Sequence, residues 1–184
     1  MARAGRLLAL LASLALGACD DDLVDPTWTA APDTAVLFSL ARPELDLESA
    51  FNISARSTVA LEKPGNALQW DIALDTRAGQ LVLLTPNALG ITSRARIAAL
   101  PGQTFEMVVE APEDTLLYSS VQPVTLQQNA VYVVRGNAQA TCGGGSLYAK
   151  LAPITLDVAQ GRFEFKYDSN PFCNDRRLVP PDTI

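Results

Sequence analysis

The stretch Arg162-Phe163-Glu164-Phe165-Lys166-Tyr167 decides the fold class of this chain, because three aromatic residues alternate with three charged ones over the length of a strand. Successive side chains of a strand point to opposite faces, so the pattern gives one dry face and one wet face. The same alternation recurs upstream. Leu68, Trp70, Ile72 and Leu74 alternate with Gln69, Asp71, Ala73 and Asp75, and Phe105, Met107 and Val109 alternate with Thr104, Glu106 and Glu110. Residues 36–40, 81–84, 131–134 and 147–151 have strand length and β-branched or aromatic content. Turn chemistry separates these runs at Pro64-Gly65-Asn66, residues 76–79, Pro101-Gly102, Pro112, Pro123, Gly143-Gly144-Gly145 and Gln160-Gly161. One short helix is expected, over residues 93–100. There is no internal repeat and no low-complexity block. The predicted fold is all-β, an antiparallel β-sandwich or partly closed barrel.

The amino terminus is of a different kind. Arg3 and Arg6 precede an apolar run at residues 7–16, which is too short to span a bilayer of ~30 Å and ends at Leu16-Gly17-Ala18-Cys19. This is the pattern of an export signal, and Leu-Gly-Ala-Cys resembles the lipobox of bacterial lipoproteins. The resemblance implies lipidation of Cys19 and cleavage before it. Three segments follow: a cleaved signal at 1–18, a lipid anchor and acidic tether at 19–34, and a single all-β domain at 35–184. No later run approaches eighteen consecutive apolar residues, so the chain is expected to be held at the membrane by its lipid rather than to span it. That places it in a bacterial cell envelope, extracytoplasmic, with inner and outer membrane both open.

Loss of Arg3 and Arg6 takes the 14 Lys and Arg down to 12 against 20 Asp and Glu, so the formal charge moves from −6 to −8. An acid chain of this kind is not expected to bind nucleic acid. Hydrophobic residues make up 48% and charged residues 18%, which is a composition that folds. Two cysteines remain besides Cys19. In an oxidising compartment Cys142 and Cys173 are expected to form a disulfide, and two sulfurs in a chain with no histidine are short of a zinc site.

The absence of histidine also excludes a Ser-His or Cys-His nucleophile pair, and no phosphate loop or nucleophile elbow is present. Paired carboxylates remain as an acid–base device, but Asp71, Asp75, Glu106 and Glu110 fall on the polar faces of alternating segments and read as solvated. Asp168-Ser169-Asn170 and Asn174-Asp175 gather oxygen atoms that suit calcium, without EF-hand spacing, and the same residues are common in plain turns. The chain is therefore not expected to be an enzyme.

Two groups of segments carry a family resemblance. Trp70-Asp71-Ile72-Ala73-Leu74, which follows Ala50-Phe51-Asn52 and precedes Leu81-Val82-Leu83-Leu84, resembles the tryptophan–aspartate strand of the HmuY family of bacterial haem-binding lipoproteins. Val131-Tyr132-Val133-Val134-Arg135, Tyr148-Ala149-Lys150-Leu151 and Phe163-Glu164-Phe165-Lys166-Tyr167 resemble that family's closing strands in the same order. The resemblance implies a mostly β, HmuY-like fold and non-catalytic capture of haem or a related tetrapyrrole, with haem or a haem-carrying protein as partner. Members of that family hold iron through His or Met. Met107 is the one methionine outside the signal and so the candidate axial ligand, flanked by Phe105 and Val109 on an apolar face where methionine also serves as a gap filler. Tyr118, Tyr132, Tyr148 and Tyr167 are the alternative phenolate ligands. A ligand-free envelope structural or protein-interaction lipoprotein is the second expectation.

Overall fold

Three aromatic side chains projecting from one face of a strand need an opposing apolar layer, and the strands of this chain supply it. A computed structural model describes residues 28–66, 70–137 and 139–181. The signal, Cys19, the acidic stretch after it, and Leu68 and Gln69 of the predicted alternation lie outside the described residues. The strands, in chain order, are β1 (Asp33–Phe38), β2 (Ala50–Asn52), β3 (Ser57–Val59), β4 (Ile72–Arg77), β5 (Gln80–Leu84), β6 (Arg96–Pro101), β7 (Tyr118–Ser119), β8 (Val124–Thr125), β9 (Ala130–Arg135), β10 (Tyr148–Asp157) and β11 (Arg162–Ser169). They form two antiparallel sheets, ordered β1-β11-β10-β9-β6-β7 and β3-β2-β4-β5-β8. Neither sheet closes into a barrel.

One apolar core takes side chains from both sheets. Phe163 and Phe165 of β11 and Leu151 of β10 meet Phe51 of β2, Ile72 and Leu74 of β4, and Leu81 and Leu83 of β5, all buried. Phe51 stands edge-on to Phe165, with ring centroids 5.5 Å apart, which adds aromatic geometry to the burial. The alternation of Phe163, Phe165 and Tyr167 is thus an inward face, and Glu164 and Lys166 point the other way.

The outer face of the larger sheet is covered as well. Val108, Ala111 and Leu178 pack on Ala98 of β6 and on Val131 and Val133 of β9 in a second apolar cluster. This covering explains two departures from the sequence reading. Residues 104–110 do not form the expected strand; they turn, with the Met107 amide donating to the Thr104 carbonyl at 3.1 Å. Phe105, Val108 and Ala111 face inward at a spacing of three, and Met107 is 62% exposed. Residues 93–100 are not helical either. They supply β6, which is paired with β9 from Arg96↔Arg135 to Pro101↔Ala130, and both faces are buried, so Ile97 and Ala98 are adjacent apolar residues that mimic a helical stripe. β10 outruns the expected 147–151 because Pro153 sits where its register with β11 shifts, at a bulge that needs no amide donor there.

The alternation around Trp70 slips by one residue. Ile72 and Leu74 enter the shared core, whereas Trp70 packs with Ala50 and Ala73 in a separate cluster. Asp71, expected on a solvated face, is 2% exposed. Its carboxylate accepts the Ile53 amide at 2.9 Å and the Asn137 amide at 2.6 Å. Ile53 follows β2 of one sheet and Asn137 follows β9 of the other, so one side chain joins the two sheets. Gly136 lets the chain come this close: a Cβ there would lie 2.8 Å from Ile53 Cδ1 and 3.2 Å from Asp71 Oδ1. Asp71→Asn is nearly isosteric, but its amide nitrogen has no lone pair for the facing N–H, and an unsatisfied buried donor costs about 1–3 kcal/mol. Urea unfolding of Asp71→Asn is expected to show a loss of that size, and an unchanged midpoint would contradict the assignment.

Candidate functional site

Each predicted site residue except Cys19, which lies outside the described residues, has a definite place. Cys142 and Cys173 form a disulfide, with Cα atoms 5.4 Å apart and a separation of 31 positions in sequence. It fastens the glycine-rich turn to the last loop, where Asn174 accepts the Ser146 amide at 3.1 Å and returns its own amide to the Ser146 carbonyl at 2.9 Å. A Cβ on Gly145 would lie 2.4 Å from the Asn174 side chain, which would have to shift away from the Ser146 amide it holds. The oxygen atoms considered for calcium are already engaged in the same region. Asn170 Oδ1 accepts the Phe172 amide, Asp175 pairs with Arg177 at 2.7 Å, and Asp168 pairs with Arg56 at 3.0 Å. Among the described residues no group of three or more His, Cys, Asp or Glu is placed to hold a metal ion.

The carboxylates considered for acid–base work are likewise committed. Asp75 pairs with Arg77, Glu106 with Lys166 and Glu110 with Arg176. Asp71 holds two amides; burial, the larger influence, pushes its carboxyl above the usual aspartate range against the pull of those donors.

The structure does not favour the iron ligands named from the sequence. Met107 was expected on an apolar strand face; it lies on a turn with its side chain in solvent because Phe105 and Val108 take the inward positions. Three of the four phenols serve the backbone: Tyr132 donates to the Thr125 carbonyl at 3.1 Å, Tyr167 to the Arg56 carbonyl at 3.1 Å and Tyr118 to the Pro112 carbonyl at 3.2 Å. Burial raises the pKa of all three.

A residue absent from the sequence-derived candidates stands out instead. Lys150, on the outer face of β10, is 2% exposed. Its Nζ donates to the Phe105 carbonyl at 2.8 Å and the Val108 carbonyl at 2.9 Å, and lies 4.4 Å from the centre of the Phe105 ring. Burial lowers its pKa, while the charges of Asp168 and Glu106 draw it back up. In the sequence it is simply the polar member of Ala149-Lys150-Leu151; that its side of the sheet is covered by residues 105–111 is long-range information.

Compared with known protein families and curated proteins, the chain matches no family model and no curated protein.

The disulfide closes a loop of about thirty residues, for which chain entropy gives roughly 3–4 kcal/mol. Cys142→Ala/Cys173→Ala is therefore expected to unfold at lower denaturant by about that amount. In the native, unreduced protein neither thiol should react with iodoacetamide.

Proposed function

We propose that this chain is a lipid-anchored, extracytoplasmic binding protein of a bacterial cell envelope, built as an HmuY-like β-sandwich and acting without catalysis. The observation that carries the reading is the Cys142–Cys173 disulfide, which pairs the only cysteines besides Cys19. Structural disulfides belong to oxidising compartments, and their formation leaves Cys19 as the one remaining thiol, seated in a lipobox-like sequence behind an export signal. The family resemblance gains support from the sheet order: the segments that resemble the closing strands fall on β9, β10 and β11, which are hydrogen-bonded neighbours. Within this reading the geometry favours a protein-interaction role over haem capture, because Met107 is on a solvent-facing turn and three phenols are bound to backbone carbonyls. Haem or tetrapyrrole binding remains the second reading, carried by the same sheet order and the family resemblance.

Two measurements test this. Mass spectrometry of the chain isolated from bacterial membranes is expected to find diacylglycerol on an amino-terminal Cys19, and Cys19→Ser is expected to lose both lipid and normal cleavage; an unlipidated chain beginning elsewhere refutes the anchor. Titration with micromolar haem is expected to give no saturable Soret shift. A saturable shift that disappears in Met107→Ala, with the circular dichroism unchanged, would instead establish haem binding through that residue.

A further inference from the structure

A cavity of about 350 Å3 opens beside Lys150, between the outer face of β10 and β11, the turn at 105–109, the carboxy-terminal stretch at 178–179 and the stretch at 30–32 that leads into β1. Its walls are mainly apolar, with Pro32, Phe105, Val109, Leu178 and Val179 contributing. It lies in the range of small-molecule sites, and at ~30 Å3 per water-sized group it holds about a dozen non-hydrogen atoms.

The charges around it are unevenly matched. Lys166 pairs with Glu106 at 3.0 Å and Asp168 pairs with Arg56 at 3.0 Å. Lys150 has no carboxylate within ion-pair distance among the described residues. An ammonium carries three donors, and the Phe105 and Val108 carbonyls take two of them. For the third there is only the face of the Phe105 ring. A buried cation held by neutral groups alone is costly unless an anion completes its shell, and a carboxylate is a far stronger acceptor than a ring face.

We propose that this cavity binds a small monocarboxylate with an apolar body, its carboxylate on the third donor of Lys150 and its apolar part against Val109, Leu178 and Val179. The charge of Lys150 selects the anion, and the balanced Lys166–Glu106 pair at the rim adds no net charge to oppose it. The inference does not depend on the anchor, the family resemblance or a protein partner.

Calorimetry of the full chain in phosphatidylcholine nanodiscs, with empty nanodiscs as the blank, tests it with octanoate. Octanoate is expected to saturate one site per chain, with the neutral octanamide at least about tenfold weaker, the loss of one charge-assisted hydrogen bond. Lys150→Met, which keeps an apolar stem and removes the charge, is expected to weaken octanoate at least about tenfold. Absence of saturable octanoate binding, equal binding of octanamide, or undiminished binding by a folded Lys150→Met would overturn the proposal. Should Lys150→Met fail to fold, the comparison of octanoate with octanamide in the unaltered chain decides alone.

Discussion

A single carboxylate in the dry seam between two sheets governs one end of this structure. Asp71 takes the Ile53 amide from one sheet and the half-buried Asn137 amide from the other, and without it both donors would lose this acceptor. Its placement reaches further than its own contacts. Asn137 begins the connection between β9 and β10, accepts the Arg94 amide at 3.1 Å, and leads into the turn that carries Cys142. The neighbouring Gly136 amide donates to the Leu147 carbonyl at 2.9 Å, closing the base of that connection. The disulfide corner is therefore held at both ends, covalently at Cys173 and by the Asp71 pair at Asn137.

The fold was legible where one face of a strand is dry and the other wet. Phe163, Phe165 and Tyr167 state their strand outright, and residues 81–84 and 131–134 fall within β5 and β9. The reading failed where long-range packing reassigns a face. Arg96–Pro101, which overlaps the expected helix at 93–100, forms β6 because the outer side of its sheet is covered, and Met107 faces solvent because a turn brings Phe105, Val108 and Ala111 to that cover. β2, β3, β7 and β8 are two or three residues long and carry too little periodicity to be read. The Cys142–Cys173 pairing was legible because few thiols were present. Asp71 and Lys150 were not, since a polar residue in an alternating strand looks solvated until the element that buries it is known.

Both residues show how this chain uses buried charge. Asp71 and Lys150 each sit at a junction between a sheet and a neighbouring segment, and each is compensated by backbone groups rather than by an opposite charge. Backbone partners fix position without demanding a matching side chain, which suits connections that must be held in place. The difference lies in completeness: both Asp71 oxygens have donors, whereas Lys150 keeps a donor facing a ring.

The claim that Asp71 welds the two sheets is tested most directly by native-state hydrogen exchange at the Ile53 and Asn137 amides. Both lie outside the strands, so ordinary turn behaviour would give fast exchange. The account predicts that both exchange only through global unfolding, with protection equal to that of β9 and β11. Exchange of either amide at the rate of exposed turn amides would contradict it.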